Sequence, residues 1–367
     1  MILRFIKKHT VMCIAALAAL VTCLIVPPDA EYLGYLDLKT LSCLFLTLAV
    51  VCALRNIKFF TILARKLVKL TGNLRLLTLM LVYITFIGSM LIANDMALIT
   101  FLPLGYYALH ATCTEQYMAY IFILQNISAN LGGMLTPFGN PQNLYLYSYF
   151  NIPTGEFTMI MLPPFLLAVG LLTVCCLFVR PEKLKLTEDF PERLPKGKTA
   201  LYLVLFAASL LIVFRVIPYL AGLIVIPVVL LFADRRALRD VDYPLLLTFV
   251  FFFIFAGNLS RVPAVHTLLS GLMEKDALLV STLSCQGISN VPSAILLSRF
   301  TDNYRALLLG VNIGGTGTII ASLASLITYS EYKILHPRDS RRYLKLFTLI
   351  NLLFLVIMTV AAKLFFV

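Results

Sequence analysis

The chain has 367 residues, 60% of them hydrophobic and 13% charged, with a mean hydropathy of +0.92 and a formal net charge of +12. These values exclude an ordinary soluble globular domain. They also make nucleic acid a poor explanation of the charge, because membrane proteins collect Lys and Arg in their cytoplasmic loops.

Apolar runs of the roughly 20 residues needed to span hydrocarbon recur from end to end, which predicts an all-α polytopic membrane protein. Arg4, Lys7 and Lys8 precede a run over 10–28 that is long for a signal peptide and reads as a retained first span. A second span is predicted near 36–54, and the amphipathic stretch 57–70 suits a helix lying along the interface. Residues 74–110 read as a re-entrant hairpin. From Leu76 to Thr114 the one formal charge is Asp95.

A broken span follows over 116–150. It lies in 40 residues, 116–155, without Asp, Glu, Lys or Arg, yet carries the helix-breaking stretch GGMLTPFGNPQN at 132–143. Spans near 157–179, 199–215, 217–233 and 243–259 come next, with a charged linker at 180–198. The amphipathic stretch 262–273, a second hairpin at 276–300, a second broken span at 303–329 and a last span at 345–366 complete the chain.

Placed on these spans, 23 of the 30 Lys and Arg fall on one side, which favours a cytoplasmic N-terminus. A hairpin at 276–300, rather than a single crossing, keeps the basic segment Lys333–Lys345 on that side.

The elements repeat. NLGGMLT at 130–136 matches NIGGTGT at 312–318, and each follows a hairpin with an Asn in its middle, Asn94 in ANDMAL and Asn290 in SNVPSA. Five crossings separate the equivalent spans, so the halves point in opposite directions. The predicted organisation is an N-terminal span (1–35), a first repeat (36–179), the linker (180–198), connecting spans (199–235) and a second, inverted repeat (236–367). Paired helix breaks in inverted repeats mark secondary transporters with a site at the midplane. Broken helices at that depth survive only inside protein or along a cavity, where half-helix N-termini face anions and unwound carbonyls face cations.

Asp95 is costly in a membrane and is a functional candidate by default, for a coupling cation or a proton; it also fits the start of the next helix. Asn94 and Asn290 offer amide donors and acceptors to a substrate oxygen or a Na⁺. Ser289, Thr136, Thr316, Thr318 and Ser322 supply hydroxyls. The first break adds Gly139, Asn140, Pro141 and Asn143. In the second, Gly315 and Gly317 stand among hydroxyl residues, a composition suited to an anion nest. The eight cysteines form no CxxC and the four histidines show no ligand spacing, so no cofactor is expected. With no HExxH helix and no nucleophile constellation, neither is an enzyme.

TPFGNPQN resembles the Thr-Pro-x-Gly-Asn-Pro signature of citrate transporters. ANDMAL resembles the first hairpin of arsenite permeases, and IIASLASL at 319–326 the end of their second broken helix. The chain is thereby similar, over nearly its whole length, to the ion transporter superfamily of citrate transporters, divalent-anion/sodium symporters and arsenite permeases. The resemblance implies a scaffold domain, often dimeric, and a transport domain with elevator-like alternating access. It also implies Na⁺ sites near the hairpin tips, with substrate between them. Divalent-anion symporters carry Ser-Asn-Thr at both tips. Here the tips read Ala93-Asn94-Asp95 and Ser289-Asn290-Val291, so both threonines are missing and a carboxylate is added, which suits proton-linked coupling. The expectation is a Na⁺- or H⁺-coupled carrier of a small carboxylate or inorganic oxyanion in a bacterial inner membrane. A Na⁺/H⁺ antiporter or arsenite-type metalloid exporter is the alternative.

Overall fold

Proline, asparagine and aspartate set many helix ends in this chain, whose computed structural model describes residues 9–184 and 194–366. Arg4, Lys7, Lys8, Lys185 and Arg193, which entered the charge count, lie outside the described residues. Helix α1 (Thr10–Ile25) ends as the backbone becomes extended at Val26, the residue before Pro27. Helix α2 (Leu38–Asn56) begins at Asp37, whose carboxylate accepts the Thr40 N–H at 2.9 Å. The amphipathic α3 (Phe59–Val68) buries Phe60, Ile62, Ala64 and Val68 and leaves Leu63 exposed.

Helices α4 (Leu74–Ile92) and α5 (Asn94–Ala111) form the first hairpin. Then come the two halves of the first broken helix, α6 (Met118–Gly132) and α7 (Pro141–Tyr149), followed by α8 (Thr154–Leu177), α9 (Lys196–Val213) and α10 (Tyr219–Ala233). Helix α11 (Tyr243–Ser260) starts as α2 does: the Asp242 carboxylate accepts the Leu245 N–H at 3.0 Å. Helix α12 (Pro263–Ile288) leaves helical geometry at Asp276, which recaps it by accepting the Leu279 N–H at 3.0 Å. This break divides the amphipathic part from the first arm of the second hairpin, and α13 (Asn290–Leu297) is the return arm. The halves of the second broken helix are α14 (Tyr304–Ile313) and α15 (Leu323–Leu335), and α16 (Ser340–Ala361) ends the bundle.

Among the described residues, seven helices are long and apolar enough to cross a membrane. The outward faces of α1, α10 and α16 show why lipid is the solvent: Leu24, Phe232 and Leu349 are 81%, 81% and 68% exposed. Such apolar surface is an interaction liability in water and ordinary in hydrocarbon. The chain is an all-α, multi-pass integral membrane protein.

Helix lengths bear on which elements can cross the membrane. The arms of the first hairpin have 19 and 18 residues, about 28 Å each at 1.5 Å per residue, and α4 is among the seven long helices. Conversely α1 and α10, expected as plain spans, have 16 and 15 residues, short of a straight crossing. Pro27 and Pro218 lie at their boundaries.

The packing interlocks the two hairpins. The first lies against α6, and its arm α5 also packs on α15, the second half of the other broken helix. The second lies against α14, and its arm α13 packs on α7. Each hairpin is thus held by the first half of the broken helix after it and the second half of the other one. The remaining helices pack around these, α2 against α9 and α10, and α1 along α11.

Candidate functional site

The chain reverses at each hairpin tip within one residue, which forces an unusual backbone. Ala93 has φ 66°, ψ 151° and Ser289 has φ 73°, ψ 158°. That region is ordinarily confined to glycine and costs on the order of 1–3 kcal/mol per residue, a strain that clusters at ligand clamps. The next residue repeats as well. Asn94 Oδ1 accepts the Asp95 N–H at 3.0 Å, and Asn290 Oδ1 accepts the Val291 N–H at 2.9 Å. Both Asn side chains are buried, and Asn94 Nδ2 donates to Asn130 Oδ1 at 3.2 Å.

The helix breaks are tied to the tips by a second matched set. Thr136 Oγ1 donates to the Met90 carbonyl at 2.9 Å, and Thr318 Oγ1 to the Gln286 carbonyl at 3.1 Å. Met90 and Gln286 each lie three residues before their tip. Within the breaks, freed carbonyls find side-chain amides. Asn143 Nδ2 donates to the carbonyls of Gly133, Met134 and Thr136. Gln286 Nε2 donates to those of Gly314 and Thr316 at 2.9 and 3.1 Å, while its Oε1 accepts the Thr318 N–H at 2.8 Å. An amide chain joins the breaks across the centre: Asn312 Nδ2 donates to Asn143 Oδ1 at 2.6 Å, and Asn140 Nδ2 to Asn312 Oδ1 at 3.2 Å. Backbone groups that lipid cannot satisfy are thereby paired by protein.

Between the tips lies a cavity of about 360 Å³. Its polar lining is Asn94, Asp95, Gln142, Thr248, Ser289 and Asn290, set among Phe252, Phe255, Ile320 and other apolar side chains. The first residues of four helices contribute to its wall: Asn94 of α5, Pro141 of α7, Asn290 of α13 and Leu323 of α15. A helix N-terminus carries up to roughly half a positive charge, so these ends favour an anion beside the single carboxylate of Asp95. No Lys, Arg or His is among the described lining residues. A second, smaller cavity of about 60 Å³ adjoins Asp95 and includes Thr47 and Asp242. Asp95 Oδ1, Asn140 Oδ1 and Gln142 Oε1 are buried oxygens without a hydrogen-bond partner among the described residues. Such acceptors suit a hard cation or an incoming donor.

Of the residues singled out from sequence, Asn94, Asp95, Pro141, Ser289 and Asn290 line the cavity. The others shape its supports. Thr136, Asn143 and Thr318 make the ties above, Thr316 Oγ1 bonds back to the Ile313 carbonyl at 2.7 Å, and Ser322 caps α15 through the Ser325 N–H. Gly139 fits because a Cβ there would collide with the Gly133 carbonyl oxygen, and a Cβ on Gly315 would sit 3.0 Å from Asn290 Nδ2. Gly317 takes φ +113°. In the second break the N–H groups of Gly315, Thr316, Thr318 and Ala321 bond to acceptors within the protein, so these four are not free for the anion nest that its composition suggests. Gln286 carries no mark in the sequence, and Gln142 only its place in the stretch GGMLTPFGNPQN. Asn126, whose Nδ2 donates to Asn351 Oδ1 at 3.3 Å, and Asn130 had one, two amides four residues apart in an uncharged helix.

A sequence model of the family described as Citrate transporter matches residues 1–304. An uncharacterised transporter of Methanocaldococcus jannaschii is 30% identical over 342 residues, 92% of each chain. An inner membrane protein of Escherichia coli is 32% identical over 278 residues, 73% of each. With the family match running from the first residue through α13 and an archaeal relative aligned almost end to end, the chain belongs to the citrate transporter family.

Proposed function

We propose that the protein is a cation-coupled secondary transporter of a small anion, a citrate- or dicarboxylate-like carboxylate or an inorganic oxyanion. The observation that carries this reading is that the first residues of four helices line one cavity with no basic side chain among its described residues. An anion there is held by dipoles and amide donors, so its affinity depends on geometry that a moving hairpin can make or break. Asn94, Asn290 and Ser289 contact the substrate, while Thr136, Asn140, Asn143, Gly315, Thr316 and Thr318 hold the breaks in place. Asp95 takes the coupling ion, Na⁺ or H⁺, with Asn94 and Asn290 as neighbouring ligands. The halves 36–179 and 236–367 act as inverted repeats, and the interlocked hairpins move as a body against a scaffold in an elevator-like step. A homodimer in an inner membrane, N-terminus cytoplasmic, completes the proposal. The test is uptake by proteoliposomes: Asn94→Ala and Asn290→Ala should each abolish it while the protein stays folded, and normal uptake by both would refute the assignment.

The alternative is a Na⁺/H⁺ antiporter or metalloid exporter on the same framework. It is favoured by one observation: an Asp95 oxygen without a hydrogen-bond partner, in a cavity whose only formal side-chain charge is negative, both among the described residues. Proton movement in vesicles given Na⁺ alone, lost in Asp95→Asn, would select it.

A further inference from the structure

Away from the central cavity, a second concavity of about 470 Å³ opens between the C-terminal end of α2, the amphipathic α3 and the arm α5. Its chemistry is opposite to that of the central one. Arg55, Lys58 and Arg65 line it together with Thr100, Tyr106 and Tyr107, and no Asp or Glu is among its described lining residues. Arg55 donates to sulfur acceptors, Met96 Sδ at 3.5 Å and Cys52 Sγ at 3.9 Å. Sulfur is a weak acceptor, so the guanidinium fork remains suited to an oxyanion, which it can bind through two parallel bonds. The nearby carboxylate of Asp234 is engaged by Asn56 Nδ2 at 3.0 Å and caps the Arg236 and Ala237 N–H groups.

The surroundings indicate what carries the oxyanion. Helix α3 buries one apolar face in the bundle and exposes Leu63, as an interfacial helix does. Ile99, in the wall of the concavity, is 42% exposed. A polar, cationic recess therefore opens beside apolar side chains at the level of an interfacial helix, which matches a phosphate headgroup with its acyl chains alongside.

We propose that this recess binds the phosphate of an anionic lipid headgroup, with Arg55, Lys58 and Arg65 as its cationic ligands. The recess shares no residue with the central cavity, although its wall includes α5 and Ile99, which also lines the small cavity beside Asp95.

The test uses the full chain purified in detergent, with dioleoyl phosphatidylglycerol, dioleoyl phosphatidylcholine and inorganic phosphate as probes. Thermal stability and lipid retention in native mass spectrometry are the readouts. Phosphatidylglycerol should raise the melting temperature and stay bound, and phosphatidylcholine should do neither. The triple variant Arg55→Gln, Lys58→Gln, Arg65→Gln should weaken phosphatidylglycerol binding by about tenfold or more, the loss expected for a charge-assisted hydrogen bond. A control removing equal charge elsewhere, Lys333→Gln, Arg338→Gln, Arg341→Gln, should bind as the wild type does. If the triple variant does not fold, Arg55→Lys with Arg65→Lys keeps the charge and loses the forks, and should show a smaller but measurable weakening. Undiminished binding in the folded triple variant, or in the lysine variant where the triple variant does not fold, would overturn the proposal. Equal stabilisation by inorganic phosphate alone would overturn the lipid assignment.

Discussion

Ala93 and Ser289, 196 positions apart, hold the same left-handed extended backbone, φ 66°, ψ 151° and φ 73°, ψ 158°. Each precedes a buried Asn that folds its carbonyl oxygen onto the next N–H. Strain imposed twice, at the two points that meet across one cavity, is expected where tip geometry matters more than stability. Ala93→Gly should therefore raise stability by about 1 kcal/mol, the released strain less the roughly 0.5–1 kcal/mol that glycine's chain entropy costs. Thermal unfolding in detergent measures this, and Ala93→Val should move the melting temperature the other way.

Gln286 holds the second break together with one side chain, bonding to Gly314 O, Thr316 O and Thr318 N. Gln286→Leu leaves these groups unpaired, at roughly 1–3 kcal/mol for each that finds no other partner. Hydrogen exchange should rise in 314–318 and not in 133–140, where Asn143 does the equivalent work. Met90→Leu, at the matching position before the first tip, should be close to neutral, because there the tie uses the backbone carbonyl.

How far the sequence revealed this arrangement depended on whether a feature was local. Spans were legible because hydrocarbon thickness sets their length, and helix starts at Asp37 and Asp242 because a capping carboxylate acts within three residues. The breaks were legible from Gly132, Gly133, Pro137, Gly139 and Pro141, residues that a plain membrane helix does not need. The tips were legible from a lone charge and two matched amides. Gln286 was not, since the carbonyls it serves lie 28 and 30 positions away. Nor was the role of Gln142, whose place in the cavity wall follows from α7 meeting α13. In the second break glycines and hydroxyls suggest free N–H groups, and the fold pairs several of them internally, that of Thr318 with a partner that only the folded chain brings near.

Close packing between each broken helix and its hairpin gives a sharper contrast. A Cβ on Gly132 would collide with the Phe86 carbonyl and sit 2.6 Å from Ser89 Oγ, and one on Gly314 would sit 2.8 Å from Cys285 Sγ. Gly132→Ala should destabilise by about 1–3 kcal/mol, the usual cost of overpacking. Gly155→Ala in α8, with nothing among the described residues within 4 Å of the added carbon, should be neutral or stabilise by up to about 1 kcal/mol through helix propensity.

Outside the membrane, Asp29 and Arg261 pair at 2.7 Å, and the guanidinium's hydrogen bond draws the Asp29 carboxyl below its ordinary 3.8. The folded value is the lower one, so the contribution is fully present above the unfolded value and disappears as pH falls through the folded value. Asp29→Asn should flatten the dependence of melting temperature on pH below about 4. A slope unchanged from wild type would remove this pair from the acid response.

The central claim is that one cavity, positive through helix ends and negative through Asp95, takes an anion and a cation together. It is tested most directly by the thermal stability of the purified protein against citrate, succinate, sulfate, phosphate and arsenite, each with Na⁺, with K⁺ and at several pH values. A ligand at 100 times its dissociation constant should stabilise by about 2.7 kcal/mol. The account predicts stabilisation by one of these anions that requires Na⁺ or a lowered pH and is lost in Asp95→Asn. Silence from every anion, with stabilisation by Na⁺ or pH alone, would contradict it and leave an antiporter.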